Sequence, residues 1–268
     1  MKPISLTAFY CCGIRMRDAE RDKPVCGDVY ARTFMNEDGL QVLEKFNDDT
    51  APNSSNVARH RIIDDLLREE LLAHPDLRVV IIGAGFDSRA YRLSGGIWFE
   101  LDEPQVIAYK NERLPVSASE NELHRIAIDF ANDSLEQKLS SISAGGPVVV
   151  VVEGVFMYLE EDTIKQLLQT LRKVFPQHKL VCDLMSRKFF GKYGRQIHEK
   201  LSGMGATFKF TADDPEAMFL GSGYERLNRV SIVQKSMEYE SRKVPKIILN
   251  TLLRTLLSGY SIYVFKTR

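Results

Sequence analysis

The chain has 268 residues, and its 36 Lys+Arg balance 36 Asp+Glu to a formal net charge of zero. That balance offers no basic surplus to meet nucleic-acid phosphates or an anionic membrane surface. A hydrophobic content of 44% is too rich for a disordered chain, and the length suits one decorated α/β unit.

The start, Met1-Lys2-Pro3-Ile4-Ser5, lacks the long apolar core of a leader peptide. The run Pro147 to Val152 is too short to span a membrane. Cys11, Cys12, Cys26 and Cys182 form no CxxC pair, so a cytoplasmic protein without a structural metal is expected. Ile62, Ile63, Leu66, Leu67 and Leu71 mark an amphipathic helix that stops near Pro75. Residues 1–75 therefore read as a helical cap ahead of any sheet.

From residue 76 to 184 short apolar runs alternate with amphipathic helices, the pattern of a mostly parallel sheet. The first strand, Val79 to Ile82, runs into Gly83-Ala84-Gly85. The second, Ile97 to Leu101, ends at Asp102, and the third, near His124 to Ile128, ends at Asp129. The fourth is five consecutive valines, Val148 to Val152, which suits a strand buried on both faces. The fifth, Leu180 to Cys182, ends at Asp183. Between them, Pro104 opens one helix, and Ile164, Leu167, Leu168 and Leu171 line another.

Residues 185–224 break the alternation with six glycines among aromatics and lysines, and are read as a lid-like insertion over the sheet's edge. Residues 225–268 close the chain. A strand is expected over 225–233, a helix over 245–257, Gly259 as a stop, and a last strand over 260–265. Five alternating strands plus this strand–helix–strand give a seven-stranded sheet, where dinucleotide folds have six.

Gly83-Ala84-Gly85-Phe86-Asp87-Ser88 follows a strand, as in the dinucleotide fingerprint, but Ser88 replaces the third glycine. A lone Gly-x-Gly also closes ordinary tight turns. The acids that follow strengthen the ligand reading. Asp102, 17 residues after Gly85, is placed to accept from ribose hydroxyls; Asp129 to accept from an adenine amino group; Glu153 follows the valine strand. Ligands of open parallel sheets sit at strand carboxyl ends, and here four successive ends carry Gly-x-Gly, Asp, Asp and Glu. Arg15, Arg17, Arg59 and Arg61 stand before the first strand, where one could pair with a ligand carboxylate or simply face solvent.

The stretches Asn56-Val57-Ala58-Arg59-His60-Arg61 and Ile82-Gly83-Ala84-Gly85-Phe86-Asp87-Ser88-Arg89-Ala90-Tyr91-Arg92-Leu93 carry a specific resemblance. So do Trp98-Phe99-Glu100-Leu101-Asp102-Glu103-Pro104 and Glu153-Gly154-Val155-Phe156-Met157-Tyr158-Leu159, with Gly205 to Phe210 and Gly223-Tyr224 downstream. Together these resemble the leucine carboxyl methyltransferase family, in a bacterial branch similar to tetracenomycin-type polyketide O-methyltransferases. The spacing of Arg15 from Asp28 fits as well, and the likeness covers roughly residues 5–266.

The resemblance implies a Rossmann-like methyltransferase fold that binds S-adenosylmethionine and leaves S-adenosylhomocysteine. By position, Arg59 and Arg15 would hold the methionine carboxylate. Gly83, Ala84, Gly85 and Asp87 would line the turn beside it. Asp102, with Glu103 next to it, would take the ribose, and Asp129 with Phe130 would flank the adenine. Glu153, followed by Gly154, would meet the methionine amino group, and Tyr158 would point to the substrate side. Glu103 and Phe130 depart from the commoner small or apolar residue and leucine of relatives.

A carboxylate acceptor is already ionised at neutral pH and needs no general base, in keeping with the lack of an evident catalytic His–Asp pair. A small-molecule carboxylate, polyketide-like, is therefore the expected methyl acceptor. A phenol would benefit from a base or nearby cation, for which Lys188, Lys192 and Tyr193 are candidates beside a plain surface reading. His60 and His198 have weaker claims on the site. Phe189, Phe190, Phe208, Phe210 and Met218 would form an apolar acceptor wall or pack in the core. Rival readings are methylation of a protein's C-terminal carboxylate, a nicotinamide oxidoreductase and a non-catalytic binding protein. The sequence leaves the oligomeric state open.

Overall fold

The computed structural model describes residues 3–142, 145–240 and 254–268. Seven strands form one sheet: β1 (Arg78–Ile82), β2 (Ile97–Asp102), β3 (Glu122–Ala127), β4 (Val148–Val152), β5 (Lys179–Met185), β6 (Tyr224–Ser231) and β7 (Tyr260–Thr267). Their order across the sheet is β3-β2-β1-β4-β5-β7-β6. The first five are parallel, and β7 runs antiparallel between β5 and β6. The order reverses between β1 and β4, so the loops leaving these two strands diverge and open a crevice at their carboxyl ends.

The five valines of β4 explain its central place. Val148, Val150 and Val152 pack on one face with Leu167, Leu168 and Leu171 of the helix Glu161–Val174. Val149 and Val151 pack on the other with Ile63, Leu67 and Leu71 of α4 (Thr50–Ala73). Full burial of a valine contributes about 1.5–3 kcal/mol, so a polar residue anywhere along this strand would be costly.

The first 75 residues are helical as expected, with α1 (Thr7–Ala19), α2 (Ala31–Phe34) and α3 (Glu37–Glu44) ahead of α4. They hold a third cluster, in which Phe9, Tyr10, Phe34 and Phe46 meet Phe86 from the loop after β1. α1 to α3 are thus packed onto the crevice, while α4 also covers one face of the sheet. The segment after β5 is also mostly helical: a short turn Arg187–Phe189, a π-helical turn Phe190–Gly194, and Arg195–Gly203. Leu201 of that last helix is buried in the cap cluster. Lys200 Nζ donates to Asp49 Oδ2 and to Lys45 O of the cap, at 2.5 and 3.0 Å.

The ends of β5 and β6 differ from expectation. β5 continues to Met185 because β7 pairs along its whole length, which puts Asp183 inside the strand and not beyond it. β6 stops at Ser231, whose hydroxyl accepts from Gln234 N and starts the helix Ile232–Tyr239. Val233 therefore faces the second core from a helix. Most of the helix expected over 245–257 lies outside the described residues, of which Arg254–Ser258 is helical. Among the described residues no helix is long and apolar enough to cross a membrane.

Candidate active site

The loop after β1 is held against β2, since Gly83 N and Ala84 N both donate to Leu101 O at 2.9 and 3.0 Å. Gly83 has φ of 72°, and a Cβ there would come within 2.6 Å of Val155 Cγ2. Only glycine lets this turn and the loop after β4 approach so closely. Asp102 at the end of β2 accepts from Gly85 N at 2.6 Å and from Glu103 N at 2.7 Å. Burial pushes its carboxyl up, and those two backbone donors oppose the shift.

The loop after β4 is anchored differently. Gly154 has φ of 68°, its N donates to Asp183 Oδ1 at 2.6 Å, and a Cβ would sit 3.1 Å from the Arg59 guanidinium. Arg59 is thereby seated directly on the loop. Its Nε donates to Glu153 Oε1 at 3.0 Å and its Nη1 to the Tyr260 hydroxyl at 2.8 Å. Tyr260 in turn donates to Asp183 Oδ2 at 2.9 Å.

Behind Glu153 lies a buried lattice of charges. Arg89, wholly buried, donates from Nη2 to Glu153 Oε2 at 2.8 Å, from Nε to Asp64 Oδ1 at 2.6 Å, and from Nη1 to Asp87. Arg92 donates to Asp64 Oδ2 at 2.6 Å and approaches His60 Nε2 at 2.7 Å. Arg15 donates to Asp28 Oδ2 at 2.9 Å and to Phe86 O at 2.7 Å, joining the cap to the loop after β1. Ser88 donates to the other Asp28 oxygen at 2.5 Å.

These contacts set the protonation states. Burial would raise the Glu153 carboxyl, but Arg89 and Arg59 hold it well below the usual range. Burial likewise opposes ionisation of Asp28, yet Arg15 and Arg92 bring it down to about 2. His60 is pushed down by burial and by Arg89, so it is neutral at pH 7. Its Nδ1 lies 2.7 Å from Arg89 Nη2, which only donates, so Nδ1 is the ring's acceptor there. His60, Asp87 and Glu153 bring ligand-type atoms within 4.8 Å of one another. The Arg89 guanidinium bonds to all three, so a cation already occupies the place a metal would take.

All this surrounds one cavity of about 1010 Å³ at the carboxyl ends of β1, β2 and β4. Arg15, Arg59, Gly83, Ala84, Gly85, Asp87, Asp102, Glu103, Phe130, Glu153, Gly154 and Tyr158 line it. Asp129 does not: its carboxylate turns back to accept from Ala131 N and Asn132 Nδ2, closing its own turn. From the loop after this strand, Phe130, which is 43% exposed, reaches the cavity, as do Asp133, Ser134 and Leu135.

The far wall is made by the segment after β5 and the cap. Phe189, Tyr193 and Phe208 line it, as do Ile197, Leu201 and Met237. Phe190, Phe210 and Met218 do not reach it; Phe210 and Met218 pack in the sheet core. Lys188 and Lys192 stay off the lining, and Lys192 lies over the Tyr193 ring. His198 is structural, with Nε2 accepting from Phe208 N at 3.1 Å. Arg61 pairs with Asp65 at 2.8 Å and stays outside as well.

Sequence reasoning gave Arg89, Asp64, Asp183, Tyr260 and Asn56 no role and gave His60 little weight. One signal was present. His60 and Asp64 are four apart on the stripe of α4 that also carries Ile63, Leu67 and Leu71, so two ionisable groups fall on a buried face.

Comparison with known proteins agrees with this geometry. A family model described as leucine carboxyl methyltransferase matches residues 8–172. A Streptomyces coelicolor relative, named "Putative S-adenosyl-L-methionine-dependent methyltransferase", is 32% identical over 238 residues, 82% of each chain. A Mycobacterium tuberculosis relative with the same wording is 30% identical over 174 residues, covering 58% of this chain and 57% of that protein. The chain thus matches little more than half the length of its mycobacterial relatives. Two solved structures at 12% identity share the fold. A duf574 family protein from Streptomyces avermitilis aligns with a TM-score of 0.60 over 90% of this chain and 96% of that one. Magnesium protoporphyrin IX methyltransferase from Synechocystis PCC 6803, solved with bound SAH, aligns with a TM-score of 0.52 over 90% and 99%. The seven-stranded sheet thus has the Rossmann-like fold shared with these two structures. With the family model matched over 165 of 268 residues, from the first cap helix into the helix Glu161–Val174, the chain belongs to the leucine carboxyl methyltransferase family.

Proposed function

We propose that the protein is an S-adenosylmethionine-dependent O-methyltransferase acting on a small, largely apolar molecule. The observation that carries this reading is the single cavity onto which the loops after β1, β2 and β4 present a glycine turn, Asp102 and the Arg59–Glu153 pair. The donor and acceptor types fit the cofactor part by part. Asp102 accepts from ribose hydroxyls, and Phe130 offers an apolar edge to the adenine. Glu153, kept ionised by Arg89, accepts from an ammonium group. Arg59 keeps one guanidinium nitrogen, Nη2, on the Cys11 side of the cavity, where it faces a carboxylate. Arg15 acts through the turn, by holding Phe86 O.

When bound, the cofactor supplies an electrophilic methyl group on a sulfonium. The protein's own part is to hold that ligand at its charged end and to present the acceptor in line from the apolar end. Alignment at near-attack distance is the main source of rate in such displacements. Tyr158 stands between the two ends, its ring packed edge-on against Phe208 at 5.2 Å between centroids. Burial pushes its phenol well above the usual value, so it stays protonated.

Calorimetric titration tests the reading. S-adenosylhomocysteine should bind at micromolar levels and NAD should not. Binding of NAD with no response to S-adenosylhomocysteine would replace a methyltransferase with an oxidoreductase.

A further inference from the structure

On the reading above, Arg59 faces the carboxylate of the cofactor, yet two of its three guanidinium nitrogens already have partners. Nε donates to Glu153 Oε1 at 3.0 Å, and Nη1 donates to the Tyr260 hydroxyl at 2.8 Å. Tyr260 stands on β7 and its own acceptor, Asp183, on β5. Both lie beyond residues 8–172, the span that the family model matches. Both are buried, at 7% and 2% exposure, and Tyr260 lines the cavity with its ring 5.9 Å from that of Phe189.

The order of these contacts decides where Arg59 sits. Its Nη1 lies 3.5 Å from Asp183 Oδ2, longer than the roughly 2.7–2.9 Å of a close guanidinium–carboxylate bond. The Tyr260 hydroxyl takes the nearer place, accepting from Nη1 and giving its proton to Asp183 Oδ2 at 2.9 Å. Burial pushes that phenol well above its usual value, so the proton stays in place. The hydroxyl is thus a neutral spacer. It satisfies Nη1 without a second anion at contact distance and keeps Asp183 from drawing the guanidinium towards β5, as opposite charges in a low dielectric would otherwise do. Asp183 is itself fixed, because its Oδ1 accepts from Gly154 N at 2.6 Å. One carboxylate therefore anchors the loop that carries Glu153 and, through Tyr260, the orientation of Arg59.

We propose that Tyr260 and Asp183 are positioning residues for the amino-acid end of the cofactor, and that the Tyr260 hydroxyl sets the Arg59 guanidinium so that Nη2 meets the ligand carboxylate. This rests on the methyltransferase reading above.

The test compares S-adenosylhomocysteine with its decarboxylated analogue, S-adenosyl-3-thiopropylamine, by calorimetry on the full chain, with the weaker ligand measured by displacement. The wild-type chain should prefer S-adenosylhomocysteine at least about tenfold, the size of one charge-assisted hydrogen bond. Tyr260→Phe keeps the ring beside Phe189 and removes the spacer. It should weaken S-adenosylhomocysteine about tenfold and leave the analogue within about twofold, so that the preference collapses. Asp183→Asn decides the matter if Tyr260→Phe does not fold. With the amide oxygen kept on Gly154 N, the amide nitrogen turns a donor towards Tyr260 and Arg59, and the same selective loss is expected. A role in folding alone would weaken both ligands together, and that result would overturn the proposal. So would an unchanged preference in the variant, or a wild-type chain that binds the two ligands equally. Failure of the wild-type chain to bind S-adenosylhomocysteine is a separate result and removes the methyltransferase reading itself.

Discussion

The two ends of the cavity are built on opposite principles. At the charged end, Arg15, Arg59, Arg89 and Arg92 interlock with Asp28, Asp64, Asp87, Glu153 and Asp183, and nearly every donor has a named partner. At the other end, Phe189, Ile197, Leu201, Phe208 and Met237 make a wall with few polar atoms. Ion pairs in a low dielectric are sensitive to small displacements, so the charged end suits a ligand that never changes. Apolar contact is nondirectional and tolerates repacking, so the far end suits a ligand that differs between relatives.

The strongest way to break this contrast is to remove the hub of the charged end. Arg89→Met should destabilise the fold by about 3–5 kcal/mol, because Asp64, Asp87 and Glu153 would lose their shared cation while buried. Urea unfolding measures it, and a loss below about 1 kcal/mol would mean that the lattice is decoration. Next, Asp102→Ala should weaken S-adenosylhomocysteine binding by roughly 1.5–3 kcal/mol with little change in stability. Unchanged affinity in calorimetry would place the ribose elsewhere.

The third prediction concerns pH. Asp28 is held at about 2 in the fold, below an unfolded value of about 3.9. A depressed carboxyl contributes stability that is whole above the unfolded value and is lost as pH falls through the folded one. That loss, roughly 2 kcal/mol, should fall between about pH 4 and pH 2. His60, neutral in the fold, adds an earlier decline once pH drops below about 6.5, since the unfolded ring then takes the proton. Unfolding curves across this range should slope downward to acid, and Asp28→Asn should flatten the lower part. A flat wild-type profile would show that the lattice is not ionised as described. The smallest effect belongs to the apolar end. Phe208→Ala should cost about 1 kcal/mol of methyl-acceptor affinity and leave S-adenosylhomocysteine binding alone. Equal losses for both ligands would erase the division between the ends.

The same division marks what could be read from sequence. β1 to β4 and the acids at their ends were legible because burial on both faces demands apolar runs, and loops at strand ends must be polar. The helical cap was legible from the stripe of α4. The charge lattice was not, because its bonds join residues far apart in the chain: Arg89 and Glu153 differ by 64 positions, Arg59 and Asp183 by 124. Periodicity reports which face is buried, not which buried charges meet. Asp129 shows how a strand-end acid can also close its own turn, a contact that its position at the strand end does not reveal. The end of β6 was missed for a local reason: Ser231-Ile232-Val233-Gln234 is a capping signal inside an apolar run.

The hydrogen bond from Arg59 to Tyr260 spans 201 positions of the chain. It ties a cap helix to the last strand, which enters the sheet between β5 and β6. During synthesis the parallel strands emerge first, yet Arg59 has no Tyr260 and β5 has no antiparallel neighbour until β7 has emerged. A ligand that recognises the finished pocket therefore cannot rescue a nascent chain, and it stabilises only the completed one. Chains that stop before β7 should show a thermal stability that no longer responds to S-adenosylhomocysteine, which gives a simple screen for them.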